Sequence, residues 1–417
     1  MFSWLNIRIG FYLAVRQLRR ASLWTTSLII FVMVLTFLNL VVVSGILVGL
    51  IQGSINEFRA QNTADVIVST LPDKKYIENS PNIISIIEGV PGVEHYSARY
   101  IEGGKLEANY LTKRETDKPN IASGQIVGID PLAENAVTNI SSKIDQGSYL
   151  NPGDFDQILV GSFLLKQYVP VENPDLEALK NVRVGTKVRL TVGGVTREVT
   201  VKGVVKSKVQ EVSRRVYMVD TQLRGMIGRT DGNVAQIVIS VKPGVDPATV
   251  RDALILRGAD SFARVQTFED AQPKFLKDIV ATFSMLGTAF SSIGLVVASI
   301  TIFIVVFINA LTRRKFIGIL KGIGISGSAI EISYVFQSIF YAVIGSIIGL
   351  VIVYGVLVPV VSANPINFPF SDGILVAEYG ETLFRVFLLI IATVIAGYIP
   401  AWMIIRKNTL DSILGRN

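Results

Sequence analysis

Hydrophobic and polar positions give this chain two textures. Four long runs are almost free of charge: Leu23–Ile51, Phe283–Leu311, Ile332–Val361 and Leu383–Ile405. Each exceeds the ~20 apolar residues a helix needs to cross a ~30 Å hydrocarbon core, so each predicts a membrane span. The only polar side chains of the first run are Thr, Ser and Asn, which a helix can satisfy internally. A buried helix of a soluble protein rarely carries an apolar run beyond ~14 residues. A cleaved leader has an apolar stretch of ~7–15 residues followed by a small-residue cleavage site. Here the run is about twice that length and no such site follows, so it reads as a retained anchor. Ahead of it, Trp4, Ile7, Phe11, Val15 and Leu18 form one stripe with Arg8, Arg16, Arg19 and Arg20 off it, which predicts an amphipathic helix in 1–22 lying along a membrane surface.

Between the first two runs the periods shorten. "ADVIVST" (64–70) is β-rich, "NIISIIEGV" is helical, and an extended piece follows near Val93–Tyr100. Before the second run the same order returns: "AQIVISV" (235–241), helical "DPATVRDALILRG", then "ARVQTF" (263–268). Both ends read strand–helix–strand, which predicts one α+β membrane-proximal subdomain split between 52–100 and 233–268. A mainly β subdomain is inserted at 101–232, where "KVRLTVGGVTREVTVKGVVKSK" (187–208) alternates around a Gly193-Gly194 hairpin turn. The remaining plan is spans at 23–51, 276–311, 332–361 and 383–405, a short loop at 312–331, an outer loop at 362–382 and a tail at 406–417.

Composition agrees with a membrane protein and excludes an ordinary soluble enzyme: half the residues are hydrophobic, 18% are charged, and mean hydropathy is +0.48. Charge then sets the orientation. Residues 53–278 carry 28 Lys+Arg and 28 Asp+Glu, whereas segments 1–22, 312–331 and 406–417 together carry a net +9. Positive charge beside spans marks the cytoplasmic side, so both termini are expected inside. This accounts for the pI of 9.4 with no nucleic-acid partner. The chain has no cysteine and one histidine, His95, which leaves no disulfide, no thiolate metal site and too few ligands for a zinc cluster. The acidic residues of the outer segment are scattered, and no catalytic set assembles. Asn139-Ile140-Ser141 is an acceptor sequon that matters only in a glycosylating host. The Lys-rich "VKGVVKSK" reads as a solvated strand face.

One short stretch invites two incompatible readings. "RRKFIGILKGIGISGSAI" (313–330) contains Gly322, Gly324 and Gly327, a literal G-x-G-x-x-G. A dinucleotide site needs a preceding strand, a following helix and an acidic residue ~20 positions on. Here the corresponding positions, Ile344 to Ile347, lie inside a span. No G-x-x-x-x-G-K-[ST] occurs either, so no cofactor is expected in this chain; any ATP and Mg²⁺ belong to a separate ATPase. The stretch Arg313, Arg314, Lys315, Ile317, Gly318, Ile319, Leu320, Lys321, Gly322 and Gly324 instead spells a basic turn, a small amphipathic helix and a tight glycine return. Ile317, Ile319, Leu320 and Ile323 supply an apolar surface. On residue chemistry alone it suits a partner's groove or the lipid headgroups equally. Gly45-x-x-x-Gly49 and Gly345-x-x-x-Gly349 are small-residue faces that permit close helix packing, although ordinary membrane glycine content reads alike.

"RRKFIGILKGIGIS" resembles the R-R-x-E-I-G-[IV]-L-[KR]-A-[LI]-G-[AI]-[ST] stretch of FtsX-like ABC-transporter permeases, with Phe316 at the usual glutamate. That superfamily includes the macrolide exporter MacB and the lipoprotein-releasing subunits LolC and LolE. "YIPAWMIIRKNTLDSIL" (398–414) is similar to the family's closing P-A-x-x-A-x-[RK]-x-x-P-x-[ED]-A-[IL], and "ILVGSFLLKQY…NVRVGTKVRLTVGGVTREVTVKGVV" to its outer motif. The resemblance implies a four-span α-helical membrane protein with a large extracytoplasmic α+β domain: a split porter-like subdomain and an inserted, mainly β, Sabre-like one. It implies a multi-pass permease of the bacterial inner membrane that pairs with a second copy or paralogue. A cytoplasmic ABC ATPase would drive it, with Arg313–Gly324 as the coupling loop. An extracytoplasmic adaptor, a lipoprotein or a hydrolase would be further partners. The implied mechanism is mechanotransmission, serving export or lipoprotein extraction; the alternative is a signalling permease that regulates a cell-wall hydrolase. The length of the outer segment favours the former. "FEDAQPKFLKDIVATFSMLGTAF" (268–290) would carry the second span outward as a rod from Glu269, with Pro273 in its first turn or kinking it.

Overall fold

Among the described residues, four helices are long and apolar enough to cross a membrane: Leu23–Thr63, Leu276–Thr312, Gly327–Ala363 and Tyr379–Ile405. The computed structural model describes residues 4–114, 118–169, 177–272, 274–364, 367–368, 371–372 and 375–405. The chain divides into a membrane unit (Met1–Gly53, Asp278–Phe368 and Asp372–Asn417) and an outer unit (Ser54–Lys277 and Pro369–Ser371).

The helices outrun the hydrophobic runs because hydropathy ends with the apolar side chains, whereas the backbone ladder ends only where something breaks it. The first helix continues past Ile51 to Thr63 and stops at Ala64, whose φ is +53°. It loosens into wider π turns at Asn39–Val43 and Arg59–Thr63. The second helix corrects the expected rod. It starts at Lys274, not Glu269, because Phe268–Ala271 is a separate single turn and Gln272 is extended (ψ 127°). Pro273 lies outside the described residues, as does the tail 406–417. In the third helix, a π turn at Val353–Leu357 directly precedes Pro359, whose ring nitrogen has no hydrogen to donate.

The core of the membrane unit takes side chains from every span: Phe37 and Leu40, Ile302 and Val306, Tyr334 and Ala342, Leu389 and Ala401. The Trp4–Arg19 helix buries Gly10, Leu13, Ala14 and Gln17, a helical i, i+3, i+4, i+7 face, against the third span. A Cβ on Gly10 would come within 2.6 Å of Ile332 Cγ2, and Gln337 Nε2 donates to Gln17 Oε1 at 2.7 Å. Trp4, Ile7 and Phe11 stay on the exposed side.

Among the described residues, the sheet of the outer unit has ten strands: β1 (Val66–Ser69), β2 (Val93–Ala108), β3 (Asn120–Ile129), β4 (Ile144–Gly147), β5 (Gln157–Gly161), β6 (Lys187–Val192), β7 (Val195–Val205), β8 (Arg215–Val219), β9 (Gln236–Val241) and β10 (Arg264–Thr267). The order β10-β1-β9-β2 is antiparallel throughout. Helices Ser80–Glu88 and Pro247–Leu256 connect β1 to β2 and β9 to β10 and bury Ile83, Ile87, Val250 and Leu254 on the sheet. This is a β-α-β-β-α-β ferredoxin-like arrangement, with everything between β2 and β9 inserted at its central hairpin.

The insert closes on itself. β2 pairs β3, β3 pairs β8, β8 pairs β5, β5 pairs β7, β7 pairs β6, and β6 returns to β2. The pairing makes a six-stranded barrel filled by Leu106, Ile126, Ile158, Val188, Val201 and Met218, and closure leaves these strands without open edges. Gly193 and Gly194, both at positive φ, form the β6–β7 turn. The boundary expected between residues 100 and 101 falls inside β2. Its first half pairs β9 and its second half pairs β3 and β6, so one strand belongs to both subdomains.

Candidate functional site: the short loop helix and its supports

The stretch between the second and third spans folds as a nine-residue helix, Arg314–Gly322. Arg313 breaks the preceding helix (φ −98°, ψ 13°) and starts the new one. Gly324 ends it at φ +92°, which turns the chain so that Ile325 N–H donates to Leu320 O at 3.0 Å. Ser326 then caps the third span through Ala329 N–H, while its hydroxyl donates to Asn6 Oδ1 at 2.9 Å.

The helix has two faces, and they correct the expected apolar surface. Ile317, Gly318 and Leu320 are buried in the membrane unit's core alongside Ile330, Ile404 and Ile405, so they anchor the helix. Phe316, Ile319 and Ile323 are 48%, 54% and 71% exposed, on an i, i+3, i+7 stripe. Lys315 and Gly322 lie beside them, also exposed, and Gly324 follows; Arg313 and Arg314 are half-buried. Lys321 turns back and donates to Ile405 O on the fourth span. The outward stripe is therefore Phe316–Ile319–Ile323 with Lys315. The helical period of the sequence already separates these from Ile317 and Leu320, once the helix start at Arg314 is known.

The four glycines singled out for packing face the chain's own segments. A Cβ on Gly345 would lie 2.6 Å from Met33 Cβ, and one on Gly349 would strike the Phe37 ring, so both lie where the first and third spans touch. Gly45 meets the backbone of Val376, whose N–H donates to Gly45 O at 3.2 Å. Gly49 is buried as well.

In the outer unit, His95 lines an open hollow of about 440 Å³ with Glu94, Asp130 and Asp220. Two of these carboxylates are already engaged: Asp130 caps the helix Pro131–Thr138, and Asp220 accepts from Arg224 Nε at 2.8 Å. Burial raises the Asp220 pKa above the usual carboxylate value, against the opposing pull of Arg224. Sequence reasoning missed the most buried charges of the unit, Arg99 and Glu134, which are 0% and 1% exposed. Burial would raise the Glu134 carboxyl, but Arg99 outweighs it and holds the group below its ordinary value. No local signal marks them, because the partners lie 35 residues apart.

Residues 26–255 match the family model of the MacB-like periplasmic core domain, and residues 288–409 that of the FtsX-like permease C-terminal region. The chain is similar to the lipoprotein-releasing system transmembrane protein LolC of Neisseria meningitidis serogroup B, 25% identical over 349 residues that cover 76% of each chain. Among solved structures it is similar to the periplasmic region of MacB from Actinobacillus actinomycetemcomitans (13% identity, 51% of this chain and 92% of that one, TM-score 0.35). It is also similar to the extracellular domain of the noncanonic ABC-type transporter YknZ from Gram-positive bacteria (13% identity, 48% and 98%, TM-score 0.32). Since the core-domain match alone takes in more than half of the chain, and the permease match covers its last three spans, the protein belongs to the MacB/FtsX family of ABC-transporter permeases.

Proposed function

We propose that a separate cytoplasmic ABC ATPase docks on the Arg314–Gly322 helix, and that its ATP-driven movement works the outer unit from the other side of a bacterial inner membrane. The observation that carries this reading is the division of labour on that helix. Ile317 and Leu320 fix it to the bundle, leaving Phe316, Ile319 and Ile323 as an apolar stripe beside Lys315. A partner groove takes such a stripe by its i, i+3, i+7 anchors. ATP and Mg²⁺ reside in the partner, and this chain performs no hydrolysis. The excess of Lys and Arg in 1–22, 312–331 and 406–417 supports placing that helix and both termini in the cytoplasm. The long helices support mechanical transmission. At about 1.5 Å per residue, Lys274–Thr312 spans about 58 Å, roughly twice a hydrocarbon core. The permease works as a dimer with a second copy or paralogue, for export or for release of membrane-anchored cargo; the similarity to LolC supports the latter.

The test is co-purification. Phe316→Asp/Ile319→Asp should lower recovery of the ATPase about tenfold or more, the loss expected when anchor residues are removed. Membrane insertion and the melting temperature should be unchanged, because both side chains point outward. An undiminished complex overturns the docking reading.

A further inference from the structure

The first helix ends in an unusual way. Its last turn, Arg59–Thr63, carries three polar residues in succession, Gln61, Asn62 and Thr63, and all are buried at 4%, 7% and 4% exposure. A helix end leaves carbonyls without partners, and a buried one needs donors from elsewhere. Here Arg99 on β2 supplies one to the backbone, and Ser207 of the insert supplies one to the Gln61 side chain.

Arg99, on the half of β2 that pairs with β9, supplies the main one. Its Nη1 donates to the Asn62 carbonyl at 2.5 Å and to Gln236 Oε1 on β9 at 3.3 Å. Its Nε and Nη2 donate to Glu134 Oε2 and Oε1 at 2.9 and 2.6 Å. Glu134 lies on the Pro131–Thr138 helix of the insert and also accepts from Ser97 Oγ at 2.7 Å. One guanidinium thus grips the helix end, the ferredoxin-like sheet and the insert together. A second tether runs beside it. Ser207 Oγ, in the loop after β7, donates to Gln61 Oε1 and accepts from Val209 N–H.

We infer that Arg99 is a positioning residue, a latch that holds the outer end of the first helix in register with the inserted barrel through Asn62 O and Glu134. An apolar cluster would bury the same surface without fixing direction, whereas a planar fork with several donors fixes both distance and angle. Charge also suits the place, because a cation is favoured at a helix C-terminus. The latch as a joint stands on these contacts alone. Its part in moving the barrel rests on the transmission reading above.

The chain has no cysteine, so paired labels can be placed without first removing native thiols. Asn56 is exposed near the helix end, and Leu111, 77% exposed, follows β2 in the insert. The full chain carrying Asn56→Cys/Leu111→Cys spin labels, in lipid nanodiscs, should give one narrow distance distribution. Arg99→Lys keeps a charge against Glu134 but cannot reach three acceptors at once, and should lose that narrow peak well below the melting temperature. Asn62→Ala leaves the gripped carbonyl in place and should keep it. If Arg99→Lys fails to fold, Arg99→Met/Glu134→Met fills the site with apolar side chains and should likewise lose the peak. A narrow peak in whichever of these two variants folds overturns the latch, because a purely stabilising role lowers melting without loosening the folded state. In complex with the co-purifying ATPase, ATP should leave the parent peak narrow and in place, because a latched helix end and barrel move as one. In Arg99→Lys the distribution should change, as the helix end moves and the barrel lags. A distribution that is broad in Arg99→Lys yet unaffected by ATP sinks the transmission reading and leaves the latch standing.

Discussion

Gly345 and Gly349 show what a small-residue spacing specifies and what it omits. It announces a close approach, but it is silent on the neighbour, which here is Met33 and Phe37 of the same chain. Gly349→Leu should therefore cost about 1–3 kcal/mol, as overpacking does, and lower the melting temperature in detergent. Gly355, on the same helix with nothing within 4 Å of its Cβ position, is the control. Equal melting of the two leucine variants would refute the packing role. Glu102 allows a pH prediction of the same grain. Burial would raise its pKa, but hydrogen bonds from Lys75, Tyr76 and Tyr100 hold it below the ordinary glutamate value. A depressed carboxylate contributes stability that is fully present above its unfolded value and lost as pH falls through the folded one. Glu102→Gln should thus be less stable at neutral pH, with a flatter decline below about pH 4.5. Thermal melts followed by circular dichroism across that range would show it, and an unchanged acid limb would exclude the role.

Element types were largely legible, because helical and alternating periods are local; element ends were not. The first helix passes Ile51 on a polar stretch whose last three residues, Gln61, Asn62 and Thr63, prove buried. The second begins at Lys274 because the Gln272 backbone turns away, which no periodicity reveals. Likewise, the strand texture near Val93–Tyr100 gives no hint that β2 runs on to Ala108 and changes partners midway. If the second helix transmits work, its continuity matters more than its surface. A Gly-Gly insertion after Asp278 rotates everything beyond it by about 200° at ~3.6 residues per turn. Transport should fail while ATP hydrolysis by the partner continues. The same insertion at the Gly193-Gly194 turn should be tolerated. Equal damage from both insertions, or intact transport with the first, would rule out a rod.

The whole molecule joins a sequence-legible membrane plan to an outer unit whose decisive contacts are non-local. Charge asymmetry and four apolar runs carry the first. Barrel closure by β6 on β2, and the meeting of Arg99, Glu134 and Asn62, need the tertiary fold before they can be seen. Another non-local pairing governs the order in which the protein matures. β1 has β9 and β10 as its strand partners, with Val66 opposite Ile239 on one side and Thr267 on the other. The barrel strands, by contrast, find their partners between Tyr100 and Val219. During synthesis the barrel can therefore close while β1, an apolar "VIVS" segment, still waits unpaired. Non-local pairing of this kind is slow and leaves exposed edges open to aggregation. β1 is released from that exposure only when the chain has been made through Thr267, just short of the second span. Membrane insertion of that span and completion of the sheet thus fall at nearly the same moment in the life of the nascent chain.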